Sequence, residues 1–398
     1  MMRRTTGARS GAPRNTRTPT PTAPKNHPLP APTRLPVLAP TLASLRAGTL
    51  SLALGLAALS AQADHQDGET IEADRHAPMG VMGDHLHEKG EWMVSYRFMS
   101  MGMEGNLLGS AAIDPDTIVT TIPNRFFGMP GQPPTLRIVP TRMDMDMHMF
   151  GVMYAPSDRV TLMAMVNYRE NTMEHITYQG GMGTNVLGRF TTETSGLGDT
   201  PLTALVGLLD RPDRKLHAIL GVSAPTGDTD ETDDILTPMG MRPTVRVPYP
   251  MQLGSGSWDP IVGLSHSGWA GNFGWGAQWR STFRVADNDD DYRLGDEHRL
   301  TGWGSYALSP LASLSLRLEY VDRGNVDGRD PRIMGPVQTA DPDRLGGERL
   351  DLGVGVNFAF QGGWRLGLEY LAPLDQDLDG PQLETDWQFV AGLQYSWD

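Results

Sequence analysis

The chain has 398 residues, with 33 Lys+Arg against 47 Asp+Glu, 39% hydrophobic residues and no Cys. Without Cys there is no disulfide framework, thiolate metal site or cysteine nucleophile, and no run reaches the ~20 apolar residues that a membrane-spanning helix needs. The charge is uneven: residues 1–63 hold eight basic residues and no acid, while 64–398 hold 25 basic against 47 acidic, a formal charge of −22. That balance disfavours a nucleic-acid partner, because phosphate neutralisation needs clustered Lys and Arg.

In chain order, residues 1–45 are a Pro/Thr/Arg mixture that is too poor in apolar groups to order itself by burial. A signal normally starts a few residues before its apolar core, so this stretch reads as a disordered or misassigned prefix. Arg46, the apolar run Leu50–Leu59 and the exit Ala61-Gln62-Ala63 describe a secretory signal peptide over 46–63, cut before Asp64. An exported chain of 335 residues follows. Residues 64–90 read as a periplasmic lead or plug. Within it His76, Asp84, His85, His87 and Glu88 offer nitrogen and oxygen donors, and Met79 and Met82 add sulfur. The spacing matches no zinc signature, so a metal site stands here beside a merely solvated, Gly-bent lead.

From residue 91 the apolar side chains recur at every second position, the period of a strand with two unlike faces. Leu314, Leu316, Leu318 and Tyr320 alternate with Ser313, Ser315, Arg317 and Glu319, and Trp364, Leu366, Leu368 and Tyr370 with Arg365, Gly367 and Glu369. Twelve such strands are predicted near 91–103, 143–154, 159–170, 198–208, 215–224, 252–266, 273–285, 298–308, 313–323, 348–359, 364–372 and 384–397. Short turns and long loops alternate strictly between them. Aromatics gather at segment ends (Trp92, Tyr154, Tyr168, Trp364, Trp387, Trp397), as interfacial girdles do. A sheet in lipid has to close, because its backbone groups find no water there. The fold predicted is therefore all-β: an up-and-down transmembrane antiparallel β-barrel of about 12 strands over 91–398, in the outer membrane of a Gram-negative bacterium.

Three Gly-rich motifs punctuate the strands: Gly196-Leu-Gly-Asp199, Ala224-Pro-Thr-Gly-Asp228 and Leu253-Gly-Ser-Gly-Ser-Trp-Asp259. In order and spacing they resemble the outer-membrane proteins named for the MetA pathway of phenol degradation, over roughly residues 76–398. The resemblance implies a barrel that passes small, often aromatic or apolar molecules, and no catalytic residues. The ending Gly392-Leu-Gln-Tyr395-Ser-Trp397 resembles the C-terminal signal read by the barrel-assembly machinery, apart from the final Asp398.

Of the 20 Met beyond the signal, 16 lie between Met79 and Met182. Alternation turns Met93, Arg97, Met99 and Met101 inward on the first strand, Met143, Met145, Met147 and Met149 on the second, and Met163 and Met165 on the third. One lumen wall is thus expected to be a thioether surface. It serves as adaptable filler, as a slide for apolar or aromatic solutes, or as a relay for a soft cation such as Cu(I) or Ag(I). Arg159, Arg169, Arg280, Arg284, Arg317, Glu319, Arg349, Asp351, Arg365, Glu369 and Asp386 are expected to line the lumen and set selectivity.

The acidic runs Asp228–Asp234 and Asp287–Asp291 read as solvated extracellular loop tips, or as Ca²⁺ or lipopolysaccharide contacts, without an EF-hand pattern. Segment 120–142, with Phe126, Phe127 and Met129, is apolar enough to fold inward as a constriction. His217, Ser223 and His266 are candidates for a barrel hydrolase, yet no nucleophile motif surrounds them. The sequence reads as a passive outer-membrane channel rather than an enzyme, without cofactors. Its expected partners are the bilayer, lipopolysaccharide, the assembly machinery and a small solute. A copper- or silver-handling barrel is the alternative.

Overall fold

The computed structural model describes residues 76–398; the predicted prefix, signal peptide and the first part of the lead, 1–75, lie outside the described residues. The strands are β1 (Trp92–Gly109), a two-residue β2 (Ala111–Ala112), β3 (Ile138–Ser157), β4 (Val160–Tyr178), β5 (Val186–Leu197), β6 (Thr200–Arg211) and β7 (Arg214–Ala224). Then come the short β8 (Thr232–Asp234) and β9 (Thr244–Arg246), β10 (Asp259–Ala270), β11 (Phe273–Thr282), a short β12 (Tyr292–Arg293) and β13 (Glu297–Ser309). The last are β14 (Ala312–Arg323), a short β15 (Asp327–Gly328), β16 (Gly347–Phe360) and β17 (Trp364–Trp397). One short helix, α1 (Pro115–Thr121), interrupts the first long loop.

Eleven strands form one antiparallel path, β1-β3-β4-β6-β7-β10-β11-β13-β14-β16-β17, and β17 closes it by pairing with β1, with β2 and β5 off the path. β17 runs out and back. Its first part pairs with β16 from Phe360↔Trp364 to Gly347↔Leu378, and its last with β1 from Trp92↔Trp397 to Leu107↔Gln382. The two arms also meet each other, with Ser396 N donating to Gly363 O. Closure leaves no edge among the membrane-spanning strands, which is what lipid demands.

The faces are inverted relative to a soluble sheet. Phe150, Leu162, Leu220, Leu300, Leu316 and Val354 are exposed, while Thr161, Thr203, Gln278, Arg317, Glu319 and Glu369 are buried inside the ring. At the short-turn end Trp92 stacks on Tyr154 at 4.4 Å, and Tyr395 lies between Trp364 and Trp397 at 4.6 and 5.4 Å. Rings with one polar edge suit a membrane–water boundary.

At the other end the long loops fold onto the barrel as a cap with its own core, including Phe126, Phe190, Leu236, Tyr249, Tyr292, Ile333 and Val337. Arg137 braces it. Its guanidinium donates to the carbonyls of Gln179, Gly180 and Gly183 at 2.8–3.0 Å and lies over the Tyr178 ring at 5.6 Å.

Several predicted boundaries are corrected. Residues 252–258 are not the start of a strand, which begins at Asp259; Met251, Gln252, Leu253 and Ser255 are buried. The loop placed at 171–197 is mostly strand, because β4 runs to Tyr178 and β5 returns from Val186. Its polar alternation, Thr-Thr-Glu-Thr-Ser, carries no apolar face to betray it. α1 was not predicted: the Asp114 side chain caps Thr117 N at 2.8 Å and proline opens the first turn. Of the aromatics in 120–142, Phe126 is buried in the cap, but Phe127 points out, 64% exposed.

Candidate functional site

The ring interior has two unlike walls. On the first, β1, β3 and β4 place methionines directly opposite one another in register: Met93↔Met153, Met99↔Met147, Met101↔Met145 and Met103↔Met143, then Met153↔Met163 and Met143↔Met173. Met93, Met143, Met149, Met153, Met163, Met165 and Met173 are buried. Met99, Met101, Met145 and Met147 are half-buried. Period-two strands in antiparallel register bring like faces together, so a Met at every second position on neighbouring strands becomes a continuous thioether sheet.

The second wall, on β13, β14, β16 and β17, is a ladder of ion pairs. Arg317 sits at its centre and donates to Glu369 Oε1 at 2.7 Å and to Glu319 Oε2 at 2.6 Å. Arg299 reaches Glu319 at 3.0 Å and Glu297 at 2.8 Å. Arg349 holds Asp351 at 2.9 Å and Thr385 at 2.8 Å. Arg365 bonds Gln394 at 2.9 Å and Asn357 at 3.1 Å. Paired, hydrogen-bonded charges tolerate burial where single ones do not.

Between the walls lies the segment from His76 to Glu91, held by main-chain contacts to five strands. Gly80 N donates to Glu369 Oε2 at 2.8 Å, Arg365 donates to Ala77 O and Gln278 to Met82 O at 3.0 Å. His217 bonds Gly83 O at 2.8 Å, and His87 N donates to Thr161 at 3.0 Å. Gly80 sits close under the Arg317–Glu369 pair: a Cβ there would lie 2.6 Å from a Glu369 oxygen, so the pair would have to shift to admit one. Met79 fills the gap over Gly367 and Gly392, and Ala77 and Val81 pack on Trp303. The segment leaves the barrel at the short-turn end, where Gly90 N bonds Ala155 O and Lys89 N bonds Asp158.

The donors predicted in this segment partly converge. His76, Asp84 and His85 offer ligand atoms within 4.8 Å of one another. The His85 ring lies 4.9 Å from that of His76 and 4.8 Å from that of His87. Burial and the Arg365 charge hold the His76 imidazole well below the usual 6.5. Burial alone would raise Asp84, but His85, by charge and hydrogen bond, and the Arg365 charge keep it well below 3.8. Burial lowers His87 despite its hydrogen bond to Glu91.

Other predicted positions are corrected. Glu88 is exposed and outside the cluster, whereas Glu91, unnoticed in the sequence, pairs with His87 Nδ1 at 2.8 Å. Asp386 is exposed rather than inward, because the β1–β17 register shifts between Gly102↔Trp387 and Met103↔Thr385 and a bulge turns the extra residue out. Arg159 is exposed at the β3–β4 turn. Arg280 reaches Met82 Sδ at 4.0 Å, Arg169 donates to Leu253 O and Arg284 pairs with Asp259. His217 and Ser223 share β7 but stand six residues, ~20 Å, apart, and His266 bonds Lys215 O at 2.9 Å. In the second acidic loop, Asp290 is bound by Thr229, Arg246 and Arg332. Met173 and Glu297 were missed because they fall in predicted loops, and Arg299 although it falls in the strand predicted at 298–308.

The three Gly-rich motifs meet at one point in the wall. β6 pairs with β4 over Val160–Ala164 and β5 from Tyr168, and Asn167 spans the break by donating to Asp199 O at 2.6 Å. The Asp199 carboxylate accepts from Gly227 N at 3.2 Å and Ser255 N at 2.8 Å. Thr226 donates to Gly198 O at 2.8 Å. Gly227 and Gly254 touch so closely that a Cβ on Gly227 would lie 2.7 Å from the Gly254 Cα. Asp259 collects the hydroxyls of Ser255 and Ser257 at 2.8 and 2.7 Å. Together these bonds turn residues 251–257 into the ring.

The chain is similar in fold to an outer membrane channel from Pseudomonas putida F1, with 14% identity, a TM-score of 0.52, and coverage of 80% of this chain and 99% of that one. More distant matches include the toluene transporters TodX of Pseudomonas putida (11% identity, TM-score 0.39) and TbuX of Ralstonia pickettii (11%, 0.41), each covering 78% of this chain and 90% of its own. Among curated proteins none matches. The family profile described as "Putative MetA-pathway of phenol degradation" matches residues 130–377, a span that contains all three Gly-rich motifs, and the chain belongs to that family.

Proposed function

We propose that the protein is an outer-membrane channel for small molecules with an aromatic or apolar body. The observation that carries this reading is the two-walled interior: register-matched thioethers on β1, β3 and β4 face a ladder of ion pairs on β13 to β17. A polarizable wall makes favourable contacts with rings, and the opposite wall can meet a hydroxyl or other polar handle. Short turns and the His76–Glu91 segment face the periplasm in this reading, and the cap faces outward towards lipopolysaccharide, as in bacterial barrels generally. The C-terminal arm of β17, which closes the ring on β1, is the part the assembly machinery would read.

The test is solute entry into proteoliposomes, comparing phenol-like compounds with sugars of similar size. Faster entry of the aromatic set supports the reading; equal entry, or none above empty liposomes, refutes it. The direct facing of Met99 on Met147 and of Met101 on Met145 also favours a second reading, passage of a soft cation. Met→Leu at 145, 147 and 149 separates the two. Leu conserves volume, so aromatic flux should stay within about twofold, whereas silver binding should collapse if thioethers are its ligands.

A further inference from the structure

We propose that His76, Asp84 and His85 form a binding site for a single divalent transition-metal ion of the Zn²⁺/Cu²⁺ class, with His87 at its margin, inside the barrel. Their ligand atoms lie within 4.8 Å of one another. A tetrahedral ion with bonds of ~2.0–2.1 Å holds its donors ~3.4 Å apart, so closure by little more than 1 Å completes the set. A second observation points the same way. His87 is 5% exposed, and its Nε2 and the Nδ1 of His76 are buried without any hydrogen-bond partner. Buried polar atoms are normally satisfied, and an orphan in a native fold calls for an ion, a water or strain. Two edge-to-face ring contacts bring three imidazoles into one row.

The donor chemistry selects the ion. Imidazole and carboxylate suit Zn²⁺ and Cu²⁺, whereas Ca²⁺ and Mg²⁺ take oxygen ligands. The Met79 side chain is turned onto Gly367 and Gly392, away from a soft-cation role here. The surrounding charges set the terms. Arg97 and Arg365 are buried nearby and oppose a cation, and Asp84 beside the imidazoles, with Glu91 beyond His87, offsets them. Asp84 already ties the segment together, its Oδ2 accepting from Ala77 N at 3.0 Å and its Oδ1 contacting His85 at 2.9 Å. An ion joining His76 to His85 would therefore clasp the two ends of the turn that fills the ring.

The experiment uses the full barrel, refolded in detergent and stripped with EDTA, titrated with ZnCl₂ by calorimetry and with CuCl₂ by electron paramagnetic resonance. We expect one ion per chain and nitrogen couplings from at least two imidazoles on copper. The double substitution His76→Ala/His85→Ala should abolish that equivalent, while His148→Ala, on the outer wall, should leave it intact. To separate loss of the site from release of the segment, zinc protection of His85 against diethyl pyrocarbonate, read by mass spectrometry on the protein without substitutions, supplies an independent arm. No bound ion, oxygen-only copper ligation, an unprotected His85 or an unchanged stoichiometry in the double variant would each overturn the proposal. None of these readouts depends on whether the barrel conducts aromatic solutes.

Discussion

Arg317 is the residue on which the polar wall turns, since its guanidinium serves Glu319 and Glu369 at once and all three are buried. Removing one partner of a buried pair strands the other, at a cost of roughly 3–5 kcal/mol, while removing both together is often close to neutral. Arg317→Met should therefore lower the midpoint of denaturant unfolding in lipid vesicles markedly, and adding Glu369→Gln should restore part of the loss. A double variant less stable than the single would show that the charges do not act as a pair. Asp386 carries the opposite lesson at this scale. Its neighbours obey the two-residue period, and one bulge is enough to turn a single carboxylate to the outside.

Among the elements, the His76–Glu91 segment is anchored by hydrogen bonds to its backbone, with Met79, Ala77 and Val81 packed against the wall. The hydrogen bonds depend on close approach, so a single added branch at the tightest position should loosen them. Gly80→Val puts methyl groups where Arg317 and Glu369 already stand. It should raise single-channel conductance several-fold in planar bilayers while heat-modifiable migration of the folded barrel on gels persists; unchanged conductance would mean that the segment does not limit passage. The cap is a different kind of element, held by loop side chains. Partial burial pushes the Asp290 carboxyl up, but hydrogen bonds from Thr229 and Arg332 and the charges of Arg246 and Arg332 more than reverse this, keeping it below the usual 3.8. A carboxyl depressed in the folded state contributes stability above its unfolded value and loses it as pH falls through the folded one. Cleavage of the loops by pepsin should thus rise steeply below about pH 3.8 in the native protein, and Asp290→Asn should already show the elevated cleavage at pH 4–5. If both proteins are cut alike at every pH, Asp290 does not hold the cap.

For the whole molecule, alternation over 91–398 was sufficient to define a closed antiparallel barrel, because a strand between lipid and water must show two unlike faces and a sheet in lipid must close. That physics is local and repeats in every strand, so it is written plainly in Leu314–Tyr320 or Trp364–Tyr370. It fades in β5, whose Thr191–Ser195 stretch is polar on both faces, and in residues 252–258, which leave the wall altogether. The Gly-rich motifs were visible as motifs, but their meeting at Asp199 joins positions 28 and 56 residues apart, and no period announces such a contact. In the same way the sequence shows His76, Asp84 and His85 as donors on one short segment, without saying that the segment enters the ring. By itself the sequence determined the fold class and the family, both of which rest on periodicity and short-range pattern. Only the tertiary structure decided what fills the barrel, which walls face each other and which histidines converge, because those follow from strand register and loop closure between residues remote in the chain.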